Sequence, residues 1–237
     1  EAQGDEARND TPWQQTGHLV FTTRNGTVKK TALTDFANVR KGGIIAISIA
    51  EGDVLISAKL TSGEHDVVLI TREGMSIRFG EANARAMGRP AAGVRGIKVG
   101  KGDEVVACAV VDLDAMLLVA GENGIGKRTA FDEYRVQTRG GKGIITMKTG
   151  EKTGGVIGAL TVQDSDELML ITNQGQMVRT FVKDIREAGR NTMGVKLVNL
   201  DEGDKLQAIA PVISAQQEDA AGEADEAGEE AEGTKDE

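Results

Sequence analysis

Short apolar runs recur along the chain, and each is followed by a tight turn that contains a glycine. The runs cover residues 19–21, 67–70, 116–119 and 168–171. Their turn glycines are Gly26, Gly74, Gly124 and Gly175, at intervals of 48, 50 and 51 residues. Runs rich in β-branched residues that end at turns of the Asn-Gly type predict hairpins, and no segment keeps the 3.6-residue period of an amphipathic helix. The pattern predicts an all-β chain built from four repeats.

A second set of glycines has the same period, because Gly43, Gly93, Gly143 and Gly194 lie 50, 50 and 51 residues apart. Each leads into a strand-like apolar segment, such as residues 44–49 or 94–99. Every unit is therefore predicted to run strand, tight turn, strand, glycine-rich connector, strand, turn, strand. Four-stranded units repeated at this spacing are typical of blades in a propeller-like array.

The predicted divisions follow these landmarks. An N-terminal linker or loop covers residues 1–17, blade repeats cover 18–64, 65–114, 115–166 and 167–215, and a disordered acidic tail covers 216–237. WD40 and Kelch propellers fit less well, since the single tryptophan, Trp13, lies outside the repeats and no Gly-His or Trp-Asp signature occurs.

The formal net charge of −9 is concentrated at one end of the chain. Residues 218–237 hold ten acidic residues and one basic residue, whereas residues 13–217 hold 23 acidic and 26 basic residues. An acidic whole chain therefore does not exclude a nucleic-acid partner. No apolar run is long enough to span a membrane and the N-terminus does not resemble a signal peptide, so the expectation is a cytoplasmic protein without a membrane partner.

Basic residues recur four positions after each turn glycine, and two of them have a basic neighbour. If blades surround one axis, these positions fall on equivalent places of the rim and form an arc that suits a bent polyanion. The alternative is that strands simply carry charge on solvated faces, but recurrence in all four copies favours binding. The residues are Lys30, Arg78, Arg128 and Arg179, with neighbours Lys29 and Lys127.

The glycine-rich connectors carry a second set of basic residues. Glycine permits close approach of a phosphate, and free N–H groups beside arginine or lysine suit phosphate oxygens. Flexible inter-strand loops would explain the glycines but not the interspersed basic residues. Because aromatic residues make up only 3% of the chain, duplex backbone recognition is preferred to base stacking. The set comprises Arg40, Lys41, Arg85, Arg89, Arg95, Arg139, Lys142, Arg186, Arg190 and Lys196.

No catalytic, metal or cofactor site is predicted. Residues 121–128 resemble the start of a P-loop, but Arg128 stands where serine or threonine should hold magnesium, and a strand is expected next. His18 and His65 are the only histidines, which leaves a transition metal without a ligand set. Cys108 lies in an apolar run and is expected to be a buried, inert thiol.

Several stretches together resemble the C-terminal domain of the A subunit of bacterial DNA gyrase, from about His18 to Ile213. The resemblance implies a β-pinwheel of four-stranded blades that wraps duplex DNA around a basic rim, is not itself an enzyme, and supports ATP-dependent negative supercoiling. It implies as partners the breakage domain of the same parent chain and, in a heterotetramer, the gyrase B subunit, which would hold ATP and magnesium. It also implies a cytoplasmic, nucleoid-associated location. The stretches are Asn25-Gly-Thr-Val-Lys-Lys-Thr, Arg85-Ala-Met-Gly, Gly93-Val-Arg-Gly-Ile, Gly126-Lys-Arg-Thr and Gly189-Arg-Asn-Thr.

Residues 137–143 are similar to the gyrase box of that family, Gln-Arg-Arg-Gly-Gly-Lys/Arg-Gly, with Thr138 in place of one arginine. The family's box usually lies in the first of about six blades, whereas here it lies in the third copy of four. Whether it is the functional box or a degenerate copy is open, and the chain is expected to be a fragment. By resemblance the box residues are Gln137, Arg139, Gly140, Gly141, Lys142 and Gly143. The predicted DNA-binding set adds Lys29, Lys30, Arg78, Arg89, Arg95, Lys127, Arg128, Arg179, Arg190 and Lys196.

Three alternatives stay open from the sequence. The chain could be the corresponding domain of a topoisomerase IV subunit, or a propeller-type module whose basic rim meets an acidic protein. The acidic tail, residues 218–237, could also occupy the basic rim and compete with DNA, or serve solubility.

Overall fold

A computed structural model describes residues 17–38 and 40–212, so the predicted linker before Gly17 and the predicted tail lie outside the described residues. Within these ranges the chain forms strands and four short 3₁₀ turns, at Leu33–Phe36, Glu81–Asn83, Phe131–Glu133 and Val182–Asp184, and the predicted all-β class is confirmed. The strands are β1 His18–Thr23, β2 Thr27–Ala32, β3 Leu55–Thr61, β4 Asp66–Thr71, β5 Met75–Gly80, β6 Val94–Arg95, β7 Val105–Val110, β8 Met116–Gly121, β9 Ile125–Ala130, β10 Ile144–Ile145, β11 Val156–Val162, β12 Glu167–Thr172, β13 Met177–Phe181, β14 Val195–Lys196 and β15 Leu206–Val212.

The strands form four antiparallel sheets, which are the blades of a propeller-like array. Their strand orders are β3-β1-β2-β6, β10-β5-β4-β7, β11-β8-β9-β14 and β13-β12-β15. In the first three blades the predicted hairpin lies in the middle, whereas in the fourth the hairpin strand β13 is an edge strand. Strands β3, β7, β11 and β15 contact one another in sequence and form the inner side of the array. The opposite edge of each blade is therefore its outer edge, and in the first three blades it carries the two-residue strands β6, β10 and β14.

The outer strand of a blade comes from the following repeat. Val94 pairs with Val28 of the first hairpin, Ile144 pairs with Ser76, and Val195 pairs with Gly126. The prediction that each repeat supplies all four strands of its own blade is therefore wrong. A sequence period is the same whether a strand pairs within its own repeat or with the preceding one, so periodicity could not distinguish the two arrangements.

The predicted strand over residues 44–49 is not formed in the described part, and in the second repeat only residues 94–95 of the predicted 94–99 pair. Most residues of these segments connect one blade to the next and do not pair with a neighbouring strand. The fourth blade likewise has three strands among the residues described.

Neighbouring blades bury apolar faces against each other. The largest cluster joins Val68 and Ile70 of the second blade to Leu117 and Val119 of the third. Fully burying side chains of this kind stabilises a fold by roughly 1.5–3 kcal/mol each. Packing between blades thus fixes their angles and carries the outer connectors into defined positions. As predicted, Cys108 is buried in this interior and its burial raises the pKa of its thiol.

Candidate nucleic-acid interface

The basic residues four positions after the turn glycines are largely buried between blades. The side chains of Lys30, Arg78 and Arg128 are only 7%, 11% and 11% exposed. Arg179 of the fourth blade is 60% exposed. The prediction of an exposed arc at this position is therefore wrong for the first three copies.

Arg78 shows what these residues do instead. Its Nε donates to Asp66 Oδ2 at 2.8 Å in its own blade, and its Nη1 donates to the carbonyl oxygens of Phe131 at 2.8 Å and Tyr134 at 3.3 Å in the next repeat. Arg128 repeats the arrangement, with Nε donating to the carbonyl oxygen of Ile185 at 2.7 Å. These arginines therefore join consecutive blades through a 3₁₀ turn, which is a structural reason for their recurrence.

Lys29 and Lys127 are fully buried, so their predicted place on the rim is also wrong. Each ammonium group is satisfied by acceptors in connector segments, which explains how a buried charge is tolerated. Burial lowers the pKa of Lys29, and it lowers the pKa of Lys127 to about 8. The acceptors are the carbonyl oxygens of Ala46 and Arg89 for Lys29, and those of Gly189 and Arg190 with Thr192 Oγ1 for Lys127.

The connectors are the glycine-rich segments 37–45, 84–95, 134–145 and 185–196, and the last three follow the outer edge of the array. Each of the last three crosses to the preceding blade and ends there as its outermost strand. Backbone contacts link the third connector to the residues that follow the second, with Gly140 N donating to Gly96 O at 2.5 Å and Lys98 N donating to Gly141 O at 2.8 Å. The second, third and fourth connectors thus form one band around the outside.

The connectors are strongly basic. Together they contain eleven basic residues and one acidic residue, Glu187, whereas the remainder of residues 13–217 contains 15 basic and 22 acidic residues. Among the predicted site residues, Arg95, Lys142 and Lys196 are exposed on this band. The band therefore concentrates positive charge on an otherwise acidic body.

A second tier of predicted residues is half-buried on the band. Arg89, Arg139 and Arg190 all lie 15 positions after a turn glycine. Arg139 donates from Nε to the carbonyl oxygen of Asn83 at 2.9 Å and from Nη1 to that of Arg95 at 3.1 Å. Arg190 donates in the same way to the carbonyl oxygen of Ile145 at 3.0 Å. The guanidinium groups of Arg139 and Arg190 thus fix their connectors against the preceding repeat.

The box-like segment is brought together as one tight bend on this band. Gln137 N donates to the carbonyl oxygen of Arg78 at 2.8 Å, which anchors the start of the bend to the preceding blade. A side chain at Gly143 would collide with the carbonyl oxygen of Ser76, so only glycine permits this approach. Lys142 and Gly141 lie at the exposed tip, where a phosphate oxygen could reach both a backbone N–H and an ammonium group.

Some residues of the band were missed or passed over. Arg85, Arg135 and Arg186 are all exposed and all lie 11 positions after a turn glycine. Arg135 was absent from the predicted connector set, and Arg85 and Arg186 were not carried into the predicted DNA-binding set. Lys98 and Lys148, both 24 positions after a turn glycine, are exposed beside the band. Constant offset from the turn glycine was the signal that could have identified them.

Residues 17–38 and 40–212 also show where the other motifs of the sequence lie. No group of three potential metal ligands occurs among them. The P-loop-like segment is the turn of the β8–β9 hairpin, and its lysine is buried. Tyr134 is buried against Phe131 with its hydroxyl 2.7 Å from Thr146 Oγ1. No helix among these residues is long and apolar enough to cross a membrane.

Comparison with known proteins agrees with the repeat structure. The model of the DNA gyrase C-terminal domain family, a β-propeller, matches residues 17–62, 65–112, 115–163 and 166–213. The chain belongs to this family. It is 48% identical over 200 residues to the DNA gyrase A subunit of Mycolicibacterium smegmatis, and 45% identical over 202 residues to that of Escherichia coli. These alignments cover 84% and 85% of this chain but only 24% and 23% of those proteins.

Solved structures show the same gyrase-type fold. A DNA gyrase A C-terminal domain superposes with a TM-score of 0.76 at 29% identity, covering 84% of this chain and 66% of that one. The C-terminal domain of a DNA topoisomerase IV superposes with a TM-score of 0.79 at 27% identity, covering 84% and 63%. The chain therefore corresponds to a C-terminal piece of a gyrase A subunit, about a quarter of its relatives' length.

Proposed function

We propose that this chain binds duplex DNA along the basic connector band and bends the duplex around the outside of the blades. The observation that supports this most directly is the charge contrast between the band and the rest of the body, eleven basic residues to one acidic. Such a stripe follows the DNA backbone without reading its sequence.

In the parent protein, this wrapping serves ATP-dependent negative supercoiling by DNA gyrase. The chain acts without a catalytic site of its own, together with the breakage domain of its parent chain and the gyrase B subunit. Its relatives in sequence, at 45–48% identity, are gyrase A subunits. These sequence identities favour gyrase over topoisomerase IV. The fold alone does not distinguish the two, because this chain superposes on domains of both.

The exposed arginines 11 positions after the turn glycines provide the sharpest test. Arg85→Ala combined with Arg135→Ala should weaken binding to a fluorescent duplex to a similar extent for any DNA sequence. Because each phosphate neutralised contributes about 0.9 to the slope of log affinity against log salt, the magnitude of that slope should fall by about 2. Fluorescence anisotropy over a series of salt concentrations measures both quantities.

A variant with the same change in charge away from the band is the control. Lys101→Ala with Lys152→Ala removes two exposed lysines that lie outside the connectors. Equal weakening by both double variants, or binding that does not respond to salt, would contradict the proposal. Loss confined to one DNA sequence would also argue against backbone recognition.

A further inference from the structure

One carboxylate, that of Glu122, joins three consecutive repeats. Its Oε1 accepts hydrogen bonds from Arg72 Nη2 of the second repeat at 2.9 Å and from Gly155 N of its own repeat at 3.0 Å. Its Oε2 accepts a hydrogen bond from Lys205 Nζ of the fourth repeat at 2.7 Å. We call these four residues the Glu122 bridge. The bridge connects the second, third and fourth blades through a single side chain.

The Glu122 bridge lies on the inner side of the array, where the inner strands begin. Strand β11 starts directly after Gly155, and strand β15 starts directly after Lys205. A backbone hydrogen bond joins the second and third blades at the same place, because Val156 N donates to the carbonyl oxygen of Arg72 at 2.8 Å. Consecutive blades are therefore held on the inner side by the bridge and on the outer side by the connectors.

The third repeat departs from the other repeats at the positions that form the bridge. Two residues before the turn glycine, the other repeats have Arg24, Arg72 and Asn173, and the third repeat alone has an acidic residue. Directly before the inner strand, the second repeat has Glu104 and the third has Gly155. The ion pair between the first and second repeats accordingly joins Arg24 to Glu104, at 3.9 Å. The bridge is thus an addition to the repeat pattern and does not follow from it.

Two consecutive glycines make room for the bridge. A side chain at Gly155 would begin 2.9 Å from Arg72 Cγ, and one at Gly154 would begin 2.1 Å from Glu122 Cγ. Both contacts are too short for a real side chain, so the glycines allow the carboxylate to reach the neighbouring repeats. The other repeats have an aspartate at the position of Gly154, namely Asp53, Asp103 and Asp204.

The surroundings of Glu122 favour its charged form. The hydrogen bond from Lys205 lowers the pKa of the Glu122 carboxyl and outweighs burial, which raises it, while the Gly155 N–H and the charge of Arg72 lower it further. The Glu122 side chain is 12% exposed, whereas that of Glu104 is 37% exposed. Exposed ion pairs contribute little to a fold, but a partly buried carboxylate with several charge-assisted hydrogen bonds is held firmly.

We propose that Glu122 is a positioning residue for DNA wrapping, because its carboxylate sets the angle between the second, third and fourth blades. This inference rests on the proposed wrapping function. If the inner side of the array opens, the blades become more nearly parallel and the connector band on their outer edge becomes less curved. Glu122 lies outside the connectors, so it acts through their position and not by contact with DNA.

A distance between blades tests the bridge without DNA. Spin labels at Lys101→Cys and Glu202→Cys lie on exposed turns of the second and fourth repeats, and the native Cys108 is buried. In pulsed electron paramagnetic resonance, Glu122→Gln should lengthen and broaden the distance between the labels, because glutamine keeps the shape of glutamate but not its charge. Glu151→Gln is the matched control. It removes the same charge from an exposed residue of the third repeat outside the bridge, and should leave the distance unchanged.

DNA topology tests the positioning role itself. A nicked plasmid is sealed with ligase at equal occupancy by wild type, Glu122→Gln or Glu151→Gln. The two variants should bind duplex DNA equally tightly, because each loses one negative charge, but Glu122→Gln should shift the linking number less for each chain bound. Lys205→Gln breaks only the contact with the fourth repeat and should give an intermediate shift, with Lys152→Gln, at an exposed lysine, as its control.

The outcomes distinguish this inference from the proposed function. A wild-type chain that leaves the linking number unchanged would refute wrapping, and with it the role given to Glu122. An equal shift for each bound chain of wild type and Glu122→Gln would overturn the role of Glu122 alone, even if the label distance changes. Equal label distances in Glu122→Gln and Glu151→Gln would overturn it as well, because the bridge would then not set the angle between blades.

Discussion

At the scale of single residues, Lys127 shows how a basic side chain can serve a nucleic-acid interface without touching it. Its ammonium group is enclosed by carbonyl oxygens of Gly189 and Arg190 and by Thr192 Oγ1. Three acceptors match the three protons of an ammonium group, which offsets much of the cost of burying the charge. The fourth connector is thereby held in the bend that presents Arg190 and Lys196.

Lys127→Met is predicted to destabilise the fold by about 1–3 kcal/mol, because the three acceptors around the buried Lys127 ammonium group lose their donor while the side chain keeps its length. Urea unfolding near pH 7 measures the change. Lys152→Met, at an exposed lysine, serves as the control and should change stability by less than about 0.5 kcal/mol.

Wild type and Lys127→Met should also differ in how their free energy of unfolding depends on pH. Burial lowers the pKa of Lys127 to about 8, against 10.5 for an ordinary lysine. Between these values the unfolded chain binds more protons than the folded one, so the free energy of unfolding due to this group rises with pH. The stability difference between wild type and Lys127→Met should therefore grow from pH 8 to about 10.5 and stay flat below pH 7. A difference independent of pH would contradict the burial of the charge.

At the scale of elements, the exchanged outer strands depend on glycines that approach a neighbouring backbone. Gly143 and Gly43 have nearly the same backbone angle, φ +78° and +75°. They differ in surroundings, since Gly143 packs on the carbonyl of Ser76 while Gly43 meets nothing among the described residues. The pair separates the cost of a left-handed backbone from the cost of a steric clash.

Gly143→Ala is predicted to cost clearly more stability than Gly43→Ala. The left-handed backbone alone should cost about 1 kcal/mol in both variants, and Gly143→Ala adds displacement of β10 from the second blade. Thermal unfolding of monomeric protein gives the comparison, and Gly143→Ala should also loosen the bend that presents Lys142. Equal melting temperatures for the two variants would show that the outer strand contributes little.

Sequence periodicity predicted the repeats, the hairpins and the glycine-rich connectors, because each leaves a local signature. It could not assign the partner of a short strand such as Val94–Arg95, since pairing across repeats has the same period as pairing within one. Nor could it separate Arg78, buried between blades, from Arg85, exposed on the band, because both keep a constant offset from Gly74. What decides between them is the crossing of the connector to the preceding blade, which only the three-dimensional fold reveals.

At the scale of the whole molecule, residues 13–217 contain similar numbers of basic and acidic residues, but the basic residues are concentrated in one part of the fold. The connectors carry eleven of the 26 basic residues between residues 13 and 217, and nine of them lie on the three connectors that end as outer strands. A curved band of this kind favours a duplex that follows it over one that touches it at a point, because each additional phosphate contact adds counterion release. Bending a short duplex smoothly costs of order 1–6 kcal/mol, which several such contacts can offset.

Wrapping, as distinct from binding, should leave a topological signature. A nicked plasmid is sealed with ligase in the presence of the chain. The distribution of linking numbers should then shift away from that of plasmid sealed without protein, because a bent path traps writhe. The shift should grow with the amount of protein bound and shrink in Arg85→Ala/Arg135→Ala/Arg186→Ala, which removes one exposed arginine from each of three connectors. Topoisomer separation on agarose gels measures it, with Lys101→Ala/Lys152→Ala as a control that should keep the shift. Tight binding with an unchanged distribution of linking numbers would show that the chain binds DNA without wrapping it around the band.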